Sequence, residues 1–93
     1  MIMGTKHAPN DPPRPSSIPP GAQIFRIGEI TDLGRMVRHA RKRLKLSIRD
    51  VAESTGYSVS FIVDVEHGKP TIEVGRVLEL MASLGVDLHA AFR

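Results

Sequence analysis

Residues 47–69 read SIRDVAESTGYSVSFIVDVEHGK. Two short segments with helical periodicity meet at Thr55-Gly56-Tyr57, and each carries its own start signal. Ser47 opens the first, and Asp50 three residues on completes a capping box, with Asp shorter than the usual Glu. Val51 and Ala52 face inward. Gly56 stops this segment by supplying a left-handed residue. Ser58 caps the second segment, Phe61, Ile62 and Val65 give it an apolar stripe, and Gly68 ends it.

Working outward, Thr31 reads as the N-cap of an earlier helix over about 32–44, with Asp32 in its first turn to meet the helix dipole. Its stripe is Leu33, Met36, Val37, Ala40 and Leu44. Pro70 and Thr71 open a last helix over about 72–84, with Val74, Val77, Leu78, Met81 and Leu84 on its core side and Gly85 at its close. Two partly alternating runs flank these helices: QIFRIG at 23–28 and VDLHAAF at 86–92, each predicted as a short strand. Residues 1–22 hold six of the seven prolines and lack apolar periodicity, so they are predicted to be a disordered or extended arm. The folded domain is then 23–93.

Capped helices of one to two turns, joined by a short turn containing Gly, have the outline of a helix-turn-helix. Plain helical bundles contain the same outline, so it does not by itself specify DNA. Charge adds to it. Net charge is only +3, yet residues 35–49 hold seven of the thirteen basic residues and no acid. Arg38, Lys42, Arg43 and Arg49 from this run are candidates for phosphate contacts, with Lys69 beyond the second short helix. A solvated helix face has the same composition.

Other function classes find little support. A chain of 93 residues makes one small domain, which a partner subunit would help to stabilise. The absence of cysteine excludes disulfides and thiolate metal sites and fits the cytoplasm. No run of about 18 apolar residues exists to span a membrane, and the N-terminus lacks a signal-peptide core. His7, His39, His67 and His89 are scattered without ligand spacing, so no metal and no cofactor is predicted. No nucleophile–base spacing, phosphate loop or acid pair suggests an enzyme.

The pieces LGRMVRHARKRLKLS, Gly56-Tyr57-Ser58, SFIVDVEHGKPT and VLELMASLG carry a more specific signal. Their order and spacing over residues 31–85 resemble the Xre/Cro-type helix-turn-helix of phage repressors, and within it the HipB-type antitoxins. The resemblance implies an all-α fold of four to five helices with a short C-terminal β-strand that pairs across a dimer, which assigns Val86, Leu88, Ala90 and Phe92 to the dimer contact. It implies that residues 47–55 position the domain on the DNA backbone. Residues 58–67 then form the recognition helix, entering the major groove by its N-terminal end. Ser58, Val59, Ser60 and Asp64 fall where this fold reads bases; His67 and Lys69 fall where phosphates meet the helix's far end. Arg41 and Glu66 fall where such repressors hold a partly buried ion pair. The implied partners are double-stranded DNA carrying an inverted repeat, a second copy of the chain, and a HipA-like serine/threonine kinase toxin.

Three departures qualify the resemblance. Lys45 replaces the glycine usual before LS, so a strained or frayed turn is expected there. Ile48 stands where a phosphate-binding Gln or Arg is common. The recognition helix presents Val59, Ser60, Val63 and Asp64 without Arg, Lys, Gln or Asn, which removes bidentate base reading. Val59 is left to pack on a thymine methyl, Ser60 to donate or accept, and Asp64 to accept from a cytosine amine. Two other readings stay open: a stand-alone regulator without a toxin, and a protein-only module in which Val59 and Val63 meet a partner.

Overall fold

Thr31 sits inside the first helix, and Glu29 is the residue that caps it. The computed structural model describes Ile18 and residues 20–93; residues 1–17 and 19, most of the expected arm, lie outside the described residues. Helix α1 runs Ile30–Arg43. It begins early because the Asp32 carboxylate accepts the backbone amides of Gly28 and Glu29 at 3.0 and 3.1 Å, satisfying donors before the first turn. The Thr31 hydroxyl instead donates to Glu29 Oε1 at 2.9 Å.

Helices α2 (Ile48–Thr55), α3 (Val59–Glu66) and α4 (Val74–Ser83) follow. Among the described residues there are four helices and no strand. Residues 23–28 and 86–92, expected as strands, have no ladder partner among the described residues. An extended segment leaves its amides and carbonyls unpaired unless another segment aligns with it, and neither run meets one here.

The turn after α1 passes through Lys45 at φ 59°, the left-handed region. Its amide and that of Leu46 reach back to the carbonyls of Lys42 and Arg41, at 2.9 and 3.2 Å. Val86 closes α4 in the same way through Met81, but there the left-handed residue is Gly85. Lys45 therefore adopts a conformation that disfavours a Cβ, because Leu46 must turn inward to pack on the core.

The core joins Val37 and Ala40 of α1, Val51 of α2, Ile62 and Val65 of α3, and Val77, Leu80 and Met81 of α4, with Leu84 beside them. Burying such a set is the main driving force for assembly. The α4 face differs from the sequence expectation in rotation. Val74 and Leu78 are exposed at 65% and 43%, while Leu80 is fully buried. The expected and observed stripes share Val77, Met81 and Leu84, and both have helical spacing. Packing against α1–α3 selects between them. α4 also begins two residues late, because Ile72 is held against the core by a turn from Lys69. Leu44, expected in the stripe of α1, lies just past its end and is exposed.

Candidate nucleic-acid interface

Local hydrogen bonds define both short helices. Ser47 Oγ accepts the Asp50 amide at 2.9 Å, and Asp50 Oδ2 accepts the Ser47 amide at 2.8 Å. That reciprocal pair holds the Asp50 carboxyl below its ordinary value, chiefly through the Ser47 amide and then its hydroxyl. Gly56 ends α2 at φ 81°. Ser58 Oγ accepts the Phe61 amide at 3.0 Å and starts α3. The Thr55 hydroxyl donates to Val51 O at 2.7 Å and accepts the Tyr57 amide at 3.3 Å, which fixes the turn between them.

Packing then decides which side of α3 is offered to solvent. Ile62, Val65 and Glu66 are buried, whereas Ser58, Val59 and Ser60 are exposed together at its N-terminal end. A helix start that presents unpaired amides and small side chains suits close approach to an acceptor-rich edge. Val59 is 44% exposed, an apolar surface residue on that end. Val63 and Asp64 are half-buried. The Asp64 carboxylate lies 3.6 Å from Lys69 Nζ, and its carbonyl accepts the Lys69 amide at 3.0 Å. Asp64 and Lys69, expected to meet a base and a phosphate separately, are thus neighbours that partly neutralise each other.

Ile48 is half-buried against the core rather than pointing at a phosphate, so its apolar side chain serves packing. Arg49 beside it is exposed on the first turn of α2. His67 is exposed at the end of α3. Arg38, Lys42 and Arg43 are exposed on α1. Arg38 and Lys42 line a groove on the outer flank of that helix together with Phe25, Arg26, Arg35 and His39. Phe25 packs on His39 with ring centroids 5.4 Å apart. The cationic run is therefore divided: one part is gathered on the α1 flank, while Arg49 stands on α2, and Lys69, outside the run, follows α3. Asp32 belongs to the flank and is held below its ordinary carboxyl value, first by the Gly28 amide and then by Arg35 at 2.6 Å.

Arg41 and Glu66 meet between α1 and α3. Arg41 Nε and its second terminal nitrogen contact the two Glu66 oxygens at 2.6 and 3.0 Å, and the remaining nitrogen donates to Leu46 O at 2.9 Å. Both side chains are almost fully buried, and no buried side-chain polar atom among the described residues lacks a partner. The Glu66 hydrogen bonds raise the Arg41 pKa.

Two groups of residues went unnoticed in the sequence. Gly34 lies where α3 crosses α1: a Cβ there would fall 2.5 Å from Glu66 O and 2.6 Å from Val65 O. A glycine inside a helical stripe is the available signal for such close approach. Arg76 and Glu79 of α4 reach Tyr57 and Phe61 at the start of the second short helix, and no local pattern marks that contact. Among the described residues no group of three His, Asp or Glu side chains is placed to hold a metal ion, and no helix is long and apolar enough to cross a membrane.

Residues 32–91 match the helix-turn-helix domain family. The chain is also 40% identical over 63 residues to an uncharacterized HTH-type transcriptional regulator of Sinorhizobium fredii, across 68% of this chain and 83% of that relative.

Proposed function

Because the chain belongs to the helix-turn-helix domain family, we propose that it is a sequence-specific DNA-binding repressor. In this reading it acts in the cytoplasm as the antitoxin of a toxin–antitoxin operon. As a homodimer it binds an inverted-repeat operator, represses its own transcription, and neutralises a HipA-like serine/threonine kinase toxin. The observation that carries DNA binding is the capped N-terminal end of α3. There Ser58, Val59 and Ser60 are exposed together, with Arg49 exposed in the first turn of α2 and Lys69 exposed after α3. The antitoxin role rests on the resemblance of residues 31–85 to HipB-type chains.

Phosphates provide most of the affinity in this reading, through Arg38, Lys42, Arg43, Arg49, His67 and Lys69. The bases are read by single hydrogen bonds and methyl contacts from Ser58, Val59, Ser60 and Asp64. Discrimination per base then falls near the low end of the usual ~1–3 kcal/mol, and DNA bending between half-sites provides the rest.

Selection from random duplexes tests the proposal. The expected product is an inverted repeat with half-site centres roughly 34 Å apart. With about three to five cations engaged per subunit, log K falls with log salt at a slope of roughly −5 to −9. Ser60→Ala weakens operator binding and spares random DNA. Asp64→Asn removes a carboxylate facing the DNA and frees Lys69, so random-duplex binding strengthens and the gap narrows. For the toxin, co-expression with a HipA-like kinase is expected to give a stable complex with suppressed kinase activity; without that, the stand-alone regulator is the better reading. The exposed Val59 favours one further alternative, a protein-only module, which predicts a salt slope near zero and no selected sequence.

A further inference from the structure

Arg76, on α4, stacks its guanidinium over two rings of the helix-turn-helix unit: Tyr57 in the turn at 5.6 Å and Phe61 in the first turn of α3 at 5.5 Å. The two rings pack on each other with centroids 5.0 Å apart. The Tyr57 hydroxyl donates to Glu79, one turn along α4, and Glu73, one turn before, lies 3.9 Å from Arg76 Nε. One acid and two aromatic faces therefore hold one planar cation against the start of α3, while Glu79 holds the Tyr57 ring through its hydroxyl.

We propose that Arg76 is a positioning residue for DNA reading: by bridging Tyr57 and Phe61 it sets the angle at which the N-terminal end of α3 leaves the turn. This rests on the DNA-binding reading above. The far end of α3 is already fixed to α1 by Arg41 and Glu66. A helix of two turns anchored at one end only pivots about that end, which moves its reading end the most. Core contacts through Ile62 and the inner side of Phe61 hold the middle of α3, but Ser58, Val59 and Ser60 are all exposed and add none at the reading end. The rings and their cation provide the second anchor. Arg suits the task better than Lys, because a planar guanidinium stacks on ring faces while an ammonium acts as a point charge. Small misplacements matter here, since single hydrogen bonds and methyl contacts tolerate little error in distance.

The test compares the full-length parent with Arg76→Lys and Arg76→Ala on the selected operator and on random duplex. Loss of a stacked cation predicts operator binding weaker by roughly three- to ten-fold in both variants. Random-duplex binding and the salt slope stay at parental values in Arg76→Lys. A direct phosphate contact predicts the reverse: Arg76→Lys retains binding, while Arg76→Ala weakens both duplexes alike and makes the dimer's slope about 1.8 shallower. That outcome overturns the proposal.

A DNA-free measurement separates this inference from the reading it rests on. Tyr57 is the only tyrosine and the chain has no tryptophan, so ultraviolet absorbance titration reports this cluster alone. The Glu79 hydrogen bond is the main cause of a raised Tyr57 pKa, and Arg76 opposes it. Glu79→Gln is expected to move the titration down and Arg76→Ala to move it up. Amide exchange at residues 59–62 is expected to quicken in Arg76→Ala while exchange at residue 65 is unchanged. If the parent selects no DNA but these signals change, the DNA reading fails and the second anchor stands. If exchange and titration match the parent, the anchor is refuted whatever the DNA result.

Discussion

Arg41 and Glu66 stand 25 residues apart in sequence and meet as a buried two-bond ion pair joining α1 to the end of α3, with the third guanidinium nitrogen on Leu46 O. Every charged atom at this crossing has a partner, which is the condition for keeping two charges out of water. Removing one partner is then far worse than removing both. Glu66→Ala is expected to destabilise by about 3–5 kcal/mol, because it strands a buried guanidinium. Arg41→Met with Glu66→Leu is expected to recover most of that loss. Denaturant unfolding of the single and double variants measures the coupling; purely additive losses would show that the two groups act independently.

Gly34 makes the same crossing possible. Alanine is the better helix former by about 1 kcal/mol, so propensity alone favours Gly34→Ala. Sterics oppose it, since the new methyl meets the Val65 and Glu66 carbonyls, rigid backbone groups of the last turn of α3. Overpacking of this kind costs roughly 1–3 kcal/mol. The expected result is a lower thermal midpoint for Gly34→Ala; a higher one would mean that the helices separate freely here.

Lys45 carries the opposite prediction. Its left-handed backbone costs a residue with a Cβ about 1–2 kcal/mol, against a smaller entropic penalty for glycine in the unfolded chain. Lys45→Gly is therefore expected to stabilise by on the order of 0.5–1 kcal/mol, read by denaturant midpoint without DNA. Equal or lower stability would indicate that the lysine side chain contributes contacts that offset its strain.

Acid stability follows from the capping box of α2. The Asp50 carboxyl has a folded pKa below its ordinary 3.8, because it accepts the Ser47 amide and pairs with the Ser47 hydroxyl. A depressed carboxyl stabilises the fold fully above its unfolded value and loses that contribution as pH falls through the folded one. Thermal midpoints of Asp50→Ala should therefore lie below the parent's near neutral pH and converge on them as pH drops below about 4. A constant difference across that range would exclude the ionised carboxylate as the cause.

The C-terminal segment offers apolar side chains that are exposed among the described residues. Val86 closes α4 through its amide and packs on the core, but Leu88 and Phe92 are exposed. Truncation after Asp87 keeps Val86 and removes Leu88, Ala90 and Phe92. If the segments of two copies pair as antiparallel strands, the parent is a dimer in light scattering and the truncated chain a folded monomer. Unchanged dimerisation would place the contact elsewhere, and the exposed Val74 and Leu78 of α4 are the next residues to vary.

The sequence by itself determined the parts whose cause is local. Ser47, Asp50, Gly56 and Ser58 mark the ends of α2 and α3 because capping and left-handed closure involve residues within four positions of one another. The helical stripes of α1 and α3 and the crowding of cations at 35–49 were legible for the same reason. Where two local solutions were nearly equal, tertiary structure decided. Asp32 drew the cap of α1 back to Glu29, and packing turned α4 to bury Leu80 rather than Val74 and Leu78, although both stripes obey the same period. The place of Gly34 under α3 and the stacking of Arg76 on Tyr57 and Phe61 join separate elements. A glycine within a helical stripe hints at close approach, but no period or spacing names the partner in either case, because the distances that matter exist only once the helices have packed.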